Sequence, residues 1–217
     1  MIDFRSTPGA RCVMLATMVI GAALAAACGD STSSLGGSAG GRTDSEMHFM
    51  QTTDSTPPLA QKTLTFYAVS GRDTTVHLWY HARAGHTDST EFLRFHVRAG
   101  SLVNRPDGTP IAPGDSLPIT ITVVDTAQMI VQFEPAGLTF APSAPAHLTL
   151  DYREASLDLN GDGQVGTLDL ALQPLLALWR QEAVGQPWLM LPTSVSLADS
   201  DEVEADVPGF TRYAIAY

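Results

Sequence analysis

From about residue 62 onward the chain is written in short runs where apolar and polar residues alternate. Leu64, Phe66 and Ala68 alternate with Thr65 and Tyr67, and Val76, Leu78 and Tyr80 with His77, Trp79 and His81. Leu93, Phe95 and Val97 alternate with Arg94, His96 and Arg98, and Ile119, Ile121 and Val123 with Thr120 and Thr122. The pattern continues through Met129, Val131 and Phe133, through Leu148, Leu150 and Tyr152, and through Val203, Ala205 and Val207 among acids. Tyr213, Ile215 and Tyr217 close the chain. Side chains two residues apart share one face of an extended strand, so each run offers one face to a core and one to water. Turn-forming clusters such as NRPDGTP (104–110) and APGD (112–115) separate the runs. Between eight and eleven strands without a long helical period predict an all-β fold, an antiparallel β-sandwich with little helix.

One stretch breaks the alternation. In DLNGDGQVGTLD, residues 158–169, oxygen-bearing side chains fall at Asp158, Asn160, Asp162 and Asp169, which are positions one, three, five and twelve. Gly163 stands at six and Val165, apolar, at eight. This is the EF-hand spacing, and its chemistry is direct. A hard Ca²⁺ ion takes six to eight oxygens, which alternate Asp and Asn side chains, the Gln164 backbone carbonyl and the final acid can supply around a tight turn. The expected ligands are Asp158, Asn160, Asp162, Gln164 and Asp169, holding one structural Ca²⁺; the alternative is an Asn/Asp/Gly turn without metal. Pro174 interrupts the following run, LALQPLLALW (170–179), and predicts a broken helix there. Leu176–Gln181 and Trp188–Leu191 are expected as two strands joined by a turn around Gly185–Pro187. The loop is thus expected as an insertion between strands.

The amino-terminal region has a different character. Arg5 and Arg11 precede an uncharged apolar run from Cys12 to Ala27, too short for the ~20 residues of a spanning helix and of signal-peptide length. Its end, LAAAC at 24–28, resembles the bacterial lipobox, with Ala25 where Leu is commonest. That resemblance implies cleavage after Ala27 and lipidation of Cys28, with acyl chains such as palmitate. The alternative is an ordinary secretory peptide cut at an A-x-A site. Residues 29–45, rich in Gly and Ser, read as a tether. The expected organisation is a signal peptide (1–27), a lipid-anchored flexible linker (28–61) and a sandwich domain (62–217). The expected location is the cell envelope, at a membrane surface reached through the N-terminal lipid.

Charge narrows the partners. The formal net charge is -11, and removing residues 1–27, with one acid and two arginines, leaves -12. Such a balance argues against nucleic acid, which needs clustered Lys and Arg. A cell-envelope protein or a glycan remains open as partner. Only Cys12 and Cys28 are present, so the mature chain has no intramolecular disulfide.

Three further stretches carry a family resemblance. HVRAGSL (96–102), FEPAGLTFAPSAPAHLTLDY (133–152) and VPGFTRYAIAY (207–217) resemble the ZU-five β-sandwich domain and its bacterial relatives. The match covers roughly residues 88–217; Pro208 and Gly209 stand where the family often has His, and Thr211 replaces Ser. The resemblance implies a structural sandwich with no catalytic residue to carry over. The 158–169 loop is similar to the dockerin type, where Asp at position twelve is normal, although dockerins carry two loops and this chain has one.

Other chemistry finds less support. His77 and His81 share a strand face with Trp79, and His86 and His96 follow, a set that could hold zinc or simply face solvent. Trp79, Trp179 and Trp188 could form a sugar-stacking platform or pack in the sandwich. Glu202, Glu204 and Asp206 alternate with apolar residues and read as a solvated face rather than a catalytic pair. There is no G-x-S-x-G, H-E-x-x-H or phosphate-binding glycine motif. The chain is therefore expected not to be an enzyme.

Overall fold

A computed structural model describes residues 40–217. The expected signal peptide and the expected lipidation site Cys28 lie outside the described residues. Among the described residues, eleven strands form two antiparallel sheets. The first sheet runs in the order β1 (Thr63–Val69), β4 (Ser116–Asp125), β5 (Ile130–Glu134), β11 (Arg212–Ala216), β7 (Ala177–Gln181) and β8 (Trp188–Met190). The second runs β2 (Thr74–Trp79), β3 (Glu91–Val97), β6 (Ala146–Asp151), β10 (Glu202–Val207) and β9 (Val195–Leu197). The architecture is an all-β sandwich, as the period-two runs predict.

The alternation explains the packing. Ile119, Ile121, Phe133, Tyr213, Ile215 and Leu178 from the first sheet join Leu78, Phe95, Leu148, Leu150, Val203 and Ala205 from the second in one buried core. Register keeps these faces aligned: Phe95 pairs with Leu148 and Leu93 with Leu150, while Leu150 pairs with Val203 and Leu148 with Ala205. A slip of one residue would turn each set to water. Phe95, Phe133, Phe140, Phe210 and Tyr213 form an aromatic cluster at the centre, with Phe95 and Phe133 ring centroids 4.8 Å apart. The stretches 96–102, 133–152 and 207–217 meet at this cluster, since Leu102 bridges Phe140 and Thr139 bridges Gly209.

The intervening residues of the first sheet point the other way and build a second core. Ile130, Ala177, Trp179, Trp188, Ala214 and Ala216 pack against Met47 and Phe49 on the outer face. This corrects the second half of the expected linker. Residues 42–59 lie along the sandwich, with backbone bridges from Arg42 to Trp188, Phe49 to Ala216, Thr52 to Ala155 and Leu59 to Tyr80. Asp44 accepts a hydrogen bond from Trp188 Nε1 at 2.6 Å and one from Gln181 Nε2 at 3.2 Å. Arg42 stacks over the Trp179 ring at 4.9 Å. The cause is that β11 and β7 are apolar on both faces, and with Trp188 of β8 they present an outer face of two tryptophans and three alanines that needs a cover. Among the described residues, no helix is long and apolar enough to cross a membrane.

Candidate calcium loop

The loop sits between β6 and β7, and its last three residues open a helix. Asp169 falls in the first turn of α1 (Thr167–Leu172), and a 3₁₀ turn follows at Gln173–Leu175, where Pro174 ends the α-helical geometry. The loop is therefore followed by one and a half turns of helix before β7, where the sequence predicted only a break. Gly161 and Gly163 have φ of +73° and +84°, a conformation that favours glycine, and Gly163 occupies position six as the sharp bend requires.

The loop's oxygens are organised around its own backbone. The Asp158 carboxylate accepts from the Asp162 N–H at 3.1 Å and the Gly163 N–H at 2.8 Å. Asn160 Oδ1 accepts from the Asp162 N–H at 2.9 Å, and Asn160 Nδ2 donates to Asp162 Oδ2 at 3.0 Å. Asp162 Oδ1 accepts from the Gln164 N–H at 2.9 Å. Positions one, three and five are thus bound into one turn. Asp169 does more. Its Oδ1 accepts from the N–H groups of Leu159 at 2.8 Å and Asn160 at 3.0 Å, and its Oδ2 from the Gly166 N–H at 2.7 Å. One carboxylate clasps both ends of the loop and caps the helix start. The Asn160 and Gly166 N–H groups above all hold its carboxyl below the usual carboxylate range. At 2% exposure its side chain is the most enclosed of the loop.

The chain's last residue braces the same loop. The Tyr217 hydroxyl donates to the Leu159 carbonyl, and its ring stacks on His48 at 5.0 Å and 13°. Burial raises the Tyr217 hydroxyl, with Asp169 and Asp158 adding to the effect. On the outside, Val165, Leu168, Leu170 and Leu175 are 59–64% exposed, an apolar surface that continues from the loop along α1.

The donor set fits a hard cation: three carboxylates, an amide oxygen and a backbone carbonyl, with no sulfur or nitrogen among them. The five expected residues share one turn and its clasp. Their carboxylates are directed at backbone N–H groups, and among the described residues no three His, Cys, Asp or Glu side chains converge as a metal group.

The other candidate residues are dispersed. His77 pairs with Glu91 and stacks on Trp79 at 5.6 Å, while His96 lies 3.3 Å from Asp73. Arg94 is the residue directly across from His77, a cation where a zinc site would need a ligand. His81 and His86 are exposed beyond the end of β2. The tryptophans do not form a platform: Trp179 and Trp188 are 6% and 1% exposed beneath Met47 and Phe49, and Trp79 alone is open at 41%. Glu202, Glu204 and Asp206 are half-buried rather than freely solvated, and form a cross-strand ladder. Arg94 lies 3.5 Å from Glu202, Arg98 3.1 Å from Asp206, and His147 3.3 Å from Glu204 and 3.1 Å from Asp206. His147 was not singled out by sequence, although the alternation of β6 puts it opposite Asp206.

In comparisons with known proteins, no family model matches the chain, and no curated protein and no solved structure matches it.

Proposed function

We propose that this chain is an exported lipoprotein, anchored to a membrane of the cell envelope through acylated Cys28, that displays a non-catalytic sandwich of structural or adhesive role steadied by one Ca²⁺. The observation that carries the calcium part is the clasp of loop 158–169, where Asp169 ties both loop ends to the start of α1. Asp158, Asn160, Asp162, the Gln164 carbonyl and Asp169 would hold the ion. Like charges crowded on one turn repel, and a divalent cation relieves that repulsion while fixing α1 to β6. The anchor rests on the lipobox resemblance at 24–28. The ZU-five-like reading belongs to the same proposal, supported by the meeting of its three stretches around Phe140 and Phe210. Metabolic labelling with a palmitate analogue tests the anchor: the wild type takes up label and Cys28→Ala does not. Equal labelling of the two, or none, sinks it.

A second reading, a protein-binding surface module, is favoured by one observation. Val165, Leu168, Leu170 and Leu175 form an exposed apolar surface, and from Gly163 to Trp179 the single charged residue is the enclosed Asp169. Surfaces of this kind mark interaction sites. Saturable binding of the purified protein to cell-envelope fractions, lost in Leu168→Asp with Leu170→Asp, supports this reading; binding unchanged by the pair removes it.

A further inference from the structure

A strand at the edge of a sheet leaves one row of backbone N–H and C=O groups without a ladder, and folded proteins ordinarily guard that row. The sandwich has β1 and β8 at the edges of its first sheet and β2 and β9 at the edges of its second. All but β1 are guarded. β8 and β9 are three residues long, and Arg42 exchanges main-chain hydrogen bonds with Trp188 of β8 at 2.8 and 2.7 Å. β2 is bulged between Leu78 and Trp79, and residues 58–60 close its far end. There the Ala60 N–H donates to the Trp79 carbonyl and the His81 N–H to the Pro58 carbonyl, both at 2.9 Å. β1 has none of these devices. Its residues, TLTFYAV, include no charge and no proline, and its register with β4 runs unbroken from Thr63 to Val69. Among the described residues no second segment pairs with it.

The ladder fixes which groups are open. The Val123 N–H donates to the Lys62 carbonyl at 2.8 Å and the Ser70 N–H to the Asp115 carbonyl at 2.9 Å, so the even positions of β1 turn to β4. Pro118, which has no N–H to give, stands opposite Tyr67, an odd position. The main-chain groups of Thr63, Thr65 and Tyr67 therefore face the open edge, together with the Val69 N–H. The side chains are unfinished there as well. Leu64 and Phe66 stay half-buried, although Ile121 and Ile119 opposite them on β4 are fully buried, and Tyr67 on the outer face is 66% exposed.

We infer that β1 is a pairing edge for a second copy of this chain, joined antiparallel about a two-fold axis at Phe66. In that register Thr65 of each copy lies opposite Tyr67 of the other and Thr63 opposite Val69, so the open N–H and C=O groups meet as hydrogen-bonded pairs. The same register keeps both faces in phase. Leu64 meets Ala68 and Phe66 meets Phe66 on the inner side, which continues the core across the axis. Tyr67 lies beside Thr65 on the outer side, an aromatic and β-branched pair. Charge permits the contact at this edge. Two chains of net charge -11 repel, but here Lys62 falls opposite Ser70 and Arg72 opposite Ala60, so no like charges oppose.

Sedimentation velocity on the full chain carrying Cys28→Ser keeps acylation out of the result, so this inference and the anchor are tested separately. A reversible shift from monomer to dimer is expected with a midpoint of roughly 10–100 μM, tightening as salt screens the net charge. Tyr67→Lys charges the edge, and Thr65→Pro removes an N–H that β4 does not use; each is expected to weaken the dimer about tenfold or more. Phe66→Cys is expected to link two chains by a disulfide on oxidation, and Thr63→Cys, far from its own copy across the axis, is not. A chain that stays monomeric to ~500 μM overturns the inference. So does a dimer that survives both Tyr67→Lys and Thr65→Pro, or linkage through Thr63→Cys rather than Phe66→Cys. A dimer dissolved by Leu168→Asp with Leu170→Asp also overturns it and assigns the contact to α1.

Discussion

Two aspartates show how carboxylates of one fold are tuned in opposite directions. Asp151 is 2% exposed, and burial pushes its carboxyl up to about 6, against the opposing pull of the Arg153 N–H and guanidinium. An acid whose value is raised by folding holds its proton longer in the folded state. Its contribution to stability therefore falls as pH rises from about 4 to about 6 and is level above that. Asp151→Asn should flatten this slope in urea melts taken across that window; an unchanged slope would assign it to other groups. Asp169 has the reverse sign. Its lowered value means stability present above the ordinary carboxylate range and lost as pH falls through the lowered one. Asp169→Ala strips acceptors from three backbone N–H groups, so a clear fall in melting temperature at neutral pH is expected, shrinking in strong acid.

At the scale of elements, the outer core of the first sheet makes a measurable claim. Trp188→Ala removes a side chain 1% exposed together with its bond to Asp44, and a loss of about 3–5 kcal/mol is expected by chemical denaturation. Leu168→Asp, on a side chain 64% exposed, should change stability by less than about 0.5 kcal/mol. A small loss at Trp188 would return residues 42–49 to the status of a loose tether. The sequence made the strands legible because each needs only a local alternation, and ten-residue β4 or the acid-apolar β10 could be read by eye. It did not show the cover over β11 and β7. Met47 and Phe49 are two apolar residues in a polar segment, and the tryptophans and alanines of their cluster lie more than 100 residues away. The turn of helix at 167–172 was hidden for another reason: Pro174 ends it, but six residues fit ahead of the proline once Asp169 caps them. The three-residue β9 is too short to carry a period. The spacing of the 158–169 loop was fully written in the sequence, whereas the bridges of residues 42–59 to the sandwich depend on a segment folding back and could not be.

For the whole molecule, the proposal joins an anchored terminus, a sandwich with two cores and a loop that ties α1 and the chain end to β6. Calcium in that loop would act on the entire fold, because Asp169 and Tyr217 connect it to the helix and to β11. The most direct measurement is the melting temperature of the mature protein with and without Ca²⁺, for wild type and Asp162→Ala. At about 100 times the dissociation constant, one bound ion contributes about 2.7 kcal/mol, enough to raise the wild-type melting temperature by several degrees. That rise is expected in the wild type and is expected to be absent in Asp162→Ala. A melting temperature unmoved by Ca²⁺ and the same in both proteins would contradict it and leave the loop as a turn.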